Sequence, residues 1–501
     1  MTAHRGDRVD VWSHLLYVRQ IRERGHRIPD HTDRVVFEAP FDYPWLIHWV
    51  LSFASGTHLP FWERYITTAI AALTTACVSL AGWHAASVYL PASDAILAGW
   101  MAGALYLVAP MATNSWSGLH SIGDRPLGVL LVSAAAYFAA WASASGDWVY
   151  LVASGCAAGL ALLASKFAVQ AIVLVLPGYA LLAGDATILL IIPIGLAVAT
   201  ALSGGKCWRI LAGNLRFTLF YANTLQWSHL ATTVKHRELT QLLRIWHRPA
   251  EWVRTGLGTP PVRAVIYNLA LAAVVYLAAT REYLRAYPPF GGLFQVIVVS
   301  YIVCLLVATV RQLRFIGEAD RYVYFAGLPA SCVIGGFAAA TASTVFEYLL
   351  LAGILLVCVL MTATEFRVKH NSVMAEHASD AERQALHAHL TALGDRRVTC
   401  IPANFSSEVA YHTRLRPLMW LMNIPREGFK AFSDIFPEHY PYPNTDLSML
   451  AEKHGLEVVV VYRRYLQPAY QRRHGFDIQY DFAGWRLDFE SDAHAVYVPS
   501  R

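Results

Sequence analysis

The sequence predicts an all-α polytopic membrane domain of about ten transmembrane helices, followed by a C-terminal soluble α/β domain. Three observations predict it. The 501 residues are 56% hydrophobic and only 15% charged, with a mean hydropathy of +0.38, whereas soluble globular chains carry about 25% charged residues. Between Tyr65 and Ser203 only six formally charged residues occur: Asp94, Asp124, Arg125, Asp147, Lys166 and Asp185. Beyond residue 366 charge returns, and helical and strand patterns alternate. A soluble cytosolic enzyme is excluded, and so is a disordered chain, which needs low hydrophobicity and high charge. The formal net charge of +5 is small for this length and implies no nucleic-acid partner.

Charge density divides the chain into residues 1–63, 64–365 and 366–501. In the first part, Val11, Leu15 and Val18 recur at helical spacing with Trp12 and Leu16 beside them, which predicts an amphipathic helix from Asp10 to Gly25. Asp10 stands at the helix start, where the partial positive charge favours a carboxylate. It reads either as a helix cap or as a functional acid. The segment Phe41–His48 then leads into a short helix reaching Phe53, with Pro44 in its first turn. That helix is too short to span a bilayer and is expected at the interface.

The candidate spans are 64–86, 95–113, 127–145, 148–165, 167–183, 186–203, 262–280, 292–310, 323–341 and 346–363. The division of 148–183 rests on Lys166 alone. The interval 204–261 mixes Lys206, Arg209, Arg216 and further basic residues with Trp208, Phe217, Tyr221 and Trp227, a composition suited to lipid headgroups. In the last part, helices are expected at Asp380–Leu393 and Asp446–His454, and strands at Arg397–Pro402 and Leu456–Tyr462.

Two loops carry further candidates. Asp124, Arg125 and Pro126 open a span, either as plain capping or as an acid and a cation facing a site. Arg311, Arg314, Glu318, Asp320 and Arg321 crowd a short stretch between two spans. They could snorkel to the interface, but ionisable groups so close to the bilayer more often face a polar cavity. Arginine there suits bidentate contact with phosphate oxygens.

The seven cysteines and twenty histidines support no metal or disulfide framework. Cys77, Cys156, Cys304, Cys332 and Cys358 lie in apolar runs, Cys207 and Cys400 are isolated, and CxxC, HxxxH and HExxH spacings do not occur. GxxxxGK[ST] and GxSxG are also missing, so nucleotide hydrolysis and serine-esterase chemistry lack support.

The Asp-x-Trp-x-His-Leu helix, its basic exit IRERGHRIP, and FDYPWLIHW before the next span resemble the first external loop of the GT-C superfamily. These are polytopic glycosyltransferases that use polyprenyl-phosphate-linked sugars, among them oligosaccharyltransferases and protein mannosyltransferases. The resemblance implies that Asp10 is the catalytic aspartate, with Asp7 the other register. It implies that Asp124 is a second acid at the site, contacting acceptor or a divalent cation such as Mg or Mn. Arg125, Arg314 and Arg321 would lie near the donor phosphate, and Glu318, Tyr322 and His14 would also contact substrate; GEADRY resembles a phosphate-contact segment. The WWDYG signature of oligosaccharyltransferases does not occur.

The family has a transmembrane helix before this loop, and an in-frame apolar helix upstream of Met1 would favour the enzyme. The expected activity is inverting transfer of a sugar from a polyprenyl-phosphate donor to a glycan, lipid or protein acceptor, with Asp10 as general base. The alternatives are a secondary transporter or flippase, which predicts paired halves with broken helices, and a non-catalytic polysaccharide-assembly protein. With ten spans, all the polar candidates and the tail fall on one face. The positive-inside rule would make that face cytoplasmic; the resemblance puts it outside the cell.

Overall fold

A computed structural model of the chain describes residues 9–32, 34–55, 59–109, 122–225, 287–317, 319–340, 345–377, 380–419, 426–474 and 476–500. The first helix, α1 (Val9–Glu23), buries Leu16, Tyr17, Val18 and Ile21 completely. Each such side chain contributes about 1.5–3 kcal/mol, so packing rather than intrinsic propensity holds the helix. Gly25, at φ +63°, turns the chain away from it. A two-residue antiparallel ladder follows, β1 (His31–Thr32) with β2 (Ala39–Pro40). The next helix, α2 (Leu46–Ser52), starts two residues later than the predicted position of Pro44: Tyr43, Pro44 and Trp45 form a non-helical strap buried in the core, with Trp45 as the helix cap.

Among the described residues, helices lie in nine of the predicted spans, ending at Val108 in 95–113 and interrupted in 323–341, while 262–280 lies outside the described residues. They are α3 (Leu59–Ser87), α4 (Ala92–Val108), α5 (Arg125–Ser145), α6 (Trp148–Ala164), α7 (Lys166–Ala183), α8 (Ile191–Ser203, after a 3₁₀ turn), α9 (Cys207–Phe220, at the start of the basic interval), α10 (Pro288–Thr309), α11 (Arg321–Tyr324), α12 (Gly327–Ala340) and α13 (Val345–His377). Among the described residues, five stretches are long and apolar enough to cross a membrane: Tyr65–Ser87, Arg125–Ser145, Lys166–Ala183, Ala186–Ser203 and Pro288–Thr309. Four shorter apolar helices accompany them.

Local chemistry sets the boundaries. The Asp147 carboxylate accepts the Val149 N–H at 2.8 Å and caps α6. A single extended residue, Ser165, separates α6 from α7, so the lone Lys166 does mark a real helix break. Close packing relies on small residues: a Cβ on Gly99 of α4 would lie 2.8 Å from the Ser79 carbonyl of α3.

The tail holds α14 (Asp380–Ala392) and a five-stranded sheet built from β3 (Arg397–Ile401), β4 (Arg416–Pro417), β5 (Val458–Tyr462), β6 (Trp485–Glu490) and β7 (His494–Pro499), in the order β4-β3-β5-β7-β6. β3 pairs parallel with β4 and β5, whereas β5–β7 and β7–β6 are antiparallel. Val458 and Val460 face one hydrophobic layer and Val459 and Val461 the other, which explains the unbroken run of valines in β5.

The tail packs on the N-terminal segment. α15 (Ser406–His412) lies against α1, and Arg19 donates to the Tyr411 carbonyl at 2.9 Å. Arg34 donates to the carbonyls of Ala410 and Thr413, both at 3.4 Å, and the Val36 N–H bonds the Pro417 carbonyl of β4 at 2.9 Å.

Candidate active site

The strap after β2 carries Asp42 and Tyr43 to the ends of three membrane-associated helices. The Tyr43 hydroxyl donates to Asp124 Oδ2 at 3.2 Å. Asp124 is buried at the N-cap position of α5, yet its side chain makes no capping bond. The capping interpretation therefore fails for its carboxylate, which serves the loop contact instead.

Asp42 is paired with Arg216 of α9 at 3.3 Å. Burial pushes the Asp42 carboxyl up, and the positive charges of Lys166, Arg216 and Arg209 oppose that. The carboxylate rests on Gly213, where a Cβ would overlap it. Lys166 Nζ, at the first residue of α7, lies 4.8 Å from the centroid of the Tyr43 ring and 4.6 Å from that of Phe217, within cation–π range. Both Asp42 and Asp124 act on its charge.

Behind the strap lies an aromatic layer from α1 and α2. Tyr17 stacks on Tyr43 at 4.9 Å and meets Phe41 edge-on at 5.0 Å. Its hydroxyl is held well above the usual tyrosine range by burial and then by the charges of Asp42 and Asp124. His14 Nδ1 is 2.8 Å from His48 Nε2, and the two rings stack at 5.0 Å. Burial, and then the neighbouring His14, push His48 down, so it stays neutral at physiological pH. His14 is thus buried against His48 and the edge of Tyr43.

The residue after Lys166 organises the second half. The Phe167 ring has the Arg321 guanidinium 4.0 Å from its centroid and that of Arg125 at 5.2 Å. Both arginines remain partly exposed. Tyr322, next to Arg321, donates to Gln170 Oε1 at 3.4 Å, one turn along α7. Gly317, at φ +119°, makes the turn that brings this segment over Phe167. Arg314 lies in the preceding 3₁₀ turn, Arg311–Ile316. The side chains of Arg314 and Asp10, and the whole of Glu318, lie outside the described residues.

Asp124, Arg125, Arg321 and Tyr322 therefore gather around the start of α7. Asp42, Lys166, Phe167 and Arg216 belong to the same constellation and were not singled out from sequence. Lys166 alone carried a signal, as the one charge in a long apolar stretch. The basic residues of α9 are also engaged by the first loop: Lys206 and Arg209 lie 3.7 and 3.0 Å from Asp30 Oδ1.

A divalent cation does not fit the described part of the site. Among the described residues no three His, Cys, Asp or Glu side chains converge as a metal ion requires. Asp124 accepts a hydroxyl proton from Tyr43, and Asp42 faces a guanidinium.

No family model and no curated relative matches the chain. Solved structures do. ArnT from Cupriavidus metallidurans bound to undecaprenyl phosphate superposes with a TM-score of 0.56 at 13% identity, over 98% of this chain and 93% of that one. Its apo form gives 0.54 at 14% identity, over 97% and 92%. The Archaeoglobus fulgidus oligosaccharyltransferase in complex with Zn and sulfate gives 0.52 at 13% identity, over 98% of this chain and 69% of that one. The fold is the GT-C fold. Near-complete coverage means that the helical part and the tail sheet both belong to this likeness. With five helices among its described residues long and apolar enough to cross a membrane, the chain is an integral membrane protein.

Proposed function

We propose that this chain is an inverting membrane glycosyltransferase that takes its sugar from a polyprenyl-phosphate donor. The observation that carries this reading is the pair Lys166–Phe167. The first lies over the Tyr43 ring within the field of the carboxylates Asp42 and Asp124, and the second holds the guanidinium groups of Arg125 and Arg321. Acid groups and phosphate-binding groups thus meet at the start of one membrane helix. Inverting transfer requires this pairing: a base for the acceptor hydroxyl and positive charge for the departing phosphate, on opposite sides of the anomeric carbon.

In this reading Asp10 is the general base. It takes the proton of the acceptor hydroxyl as that oxygen bonds to the anomeric carbon, and the bond to the lipid phosphate oxygen breaks. Arg321, with Arg125 and Arg314, neutralises the phosphate that leaves. Asp124, held by Tyr43, orients the acceptor, and His14 and His48 back the strap that presents it. Tyr322 and Glu318 line the donor side. The glycan, lipid or protein acceptor approaches from the extracytoplasmic face, and the tail from about residue 366 lies on that face too. ArnT bound to undecaprenyl phosphate supports the donor class.

The test is release of free polyprenyl phosphate from a labelled polyprenyl-phosphate sugar by the purified chain in lipid nanodiscs. Release that needs both the chain and an acceptor supports the reading. A chain that moves the intact donor across the bilayer without cleaving it would replace the reading with a flippase.

A further inference from the structure

Lys166, partly exposed, lies among three separate parts of the chain. It opens α7, its ammonium faces the Tyr43 ring of the first loop, and on another side lies Phe217 of α9. Rings alone do not offset the cost of burying a charge. The carboxylates Asp42 and Asp124 both act on the charge of the ammonium, and Arg216 joins the set through its ion pair with Asp42. Two carboxylates therefore meet two protein cations. A divalent ion added here would leave excess positive charge among aromatic rings, where repulsion is screened least.

We propose that Lys166 is the resident cation of this site: its ammonium supplies, from the chain itself, the positive charge shared by Asp42 and Asp124, so that the chain works without a divalent metal. The proposal rests on the glycosyltransferase reading for its kinetic consequences but not for its electrostatic ones. Lys166 touches neither donor nor acceptor in this scheme. It acts through the carboxylates and is a positioning residue. The charged and titratable groups around it are Tyr17 of α1, Asp42 and Tyr43 of the strap, Asp124 before α5, and Arg209 and Arg216 of α9.

The sign of the effect follows from Coulomb attraction. Removing a cation beside a buried carboxylate makes it hold its proton more tightly, by about 1–3 pH units. The experiment uses the full chain in nanodiscs with Lys166→Met and Lys166→Arg, and has one arm free of catalysis. Infrared spectroscopy across a pH titration from neutral to acid should show the protonated carboxyl band appearing at higher pH, by about 1–3 units, in Lys166→Met than in the wild type and Lys166→Arg, and Asp42→Asn should remove it. In the kinetic arm, wild-type turnover should persist unchanged after exhaustive chelation with EDTA. The acid limb of the pH–rate profile should move to higher pH by about 1–3 units in Lys166→Met and stay in place in Lys166→Arg.

Loss of wild-type turnover on chelation, restored by Mg²⁺ or Mn²⁺, overturns the proposal. So does a Lys166→Met protein whose carboxyl band appears at the wild-type pH. If Lys166→Met fails to fold, wild-type chelation still decides the metal claim, and Lys166→Arg decides the charge claim, because an unfolded or acid-shifted Arg variant contradicts it. If the wild type transfers no sugar at all, the glycosyltransferase reading falls while the infrared arm still judges Lys166.

Discussion

The Tyr43 hydroxyl donates to the Asp124 carboxylate at 3.2 Å, tying the first loop to the opening of a membrane helix. The same Tyr43 ring lies under the Lys166 ammonium and stacks on Tyr17. One side chain thus joins α1, the strap, α5 and α7.

Tyr43→Phe keeps the ring and removes only the hydroxyl. A buried carboxylate that loses a donor costs about 1–3 kcal/mol, so the melting temperature in detergent should fall while helix content is kept. An unchanged melting temperature would show that the contact adds nothing to stability.

Gly213→Ala adds one methyl group where the Asp42 carboxylate rests. Asp42 must then move away from Arg216, and turnover should fall while the membrane helices stay folded. Gly213→Ala protein with wild-type turnover would mean that the position of Asp42 is not critical.

How much of this could be read from sequence depended on the range of the signal. The apolar helices were legible because apolar runs declare themselves locally, and so was β5, whose valines face two cores. Asp124, Arg125 and Arg321 stood out as charges at span entrances. The Asp42–Arg216 pair did not, because 174 residues separate its partners and no spacing rule links them. Phe167 was hidden for the opposite reason: a phenylalanine in an apolar helix looks like core until two guanidinium groups are found on it. Lys166 was legible as a helix break but not as a functional group, since its meaning lies in carboxylates from other segments.

Arg321→Ala should weaken donor binding with little effect on folding. A lost charge-assisted contact costs about 1.5–3 kcal/mol, roughly one to two decades in affinity. Titration of polyprenyl phosphate into the purified variant measures it. Unchanged affinity would return Arg321 to the role of an interfacial anchor.

The docking of the tail on α1 should weaken in acid. His412 stacks on His387 at 4.1 Å and meets the Trp12 ring of α1 at 4.5 Å. Burial, followed by the charge of His387, holds His412 down at about 4, and burial holds His494 at about 4, against an ordinary value of 6.5. Within that window the unfolded chain binds more protons than the folded one, so stability is lost as pH falls from 6.5 towards 4. His412 is exposed and His494 buried, so solvent screens His412 and it contributes the smaller share. Melting curves of the full chain across this range should show the fall, and a His412→Asn, His494→Asn double variant should flatten it. An equally steep fall in the double variant would assign the acid loss to other groups.

The most direct test of the central claim is release of polyprenyl phosphate by Asp10→Asn, measured beside Asp7→Asn and Asp42→Asn with a labelled donor. Asparagine keeps the shape of the side chain, but it cannot accept a proton. Loss of the general base lowers rates by about 10²–10⁴. Asp10→Asn should therefore bind donor as the wild type does and release lipid phosphate slower by that factor, while Asp7→Asn stays active. Wild-type release by Asp10→Asn, with release abolished in Asp42→Asn, would contradict the assignment and move the catalytic carboxylate from α1 to the strap.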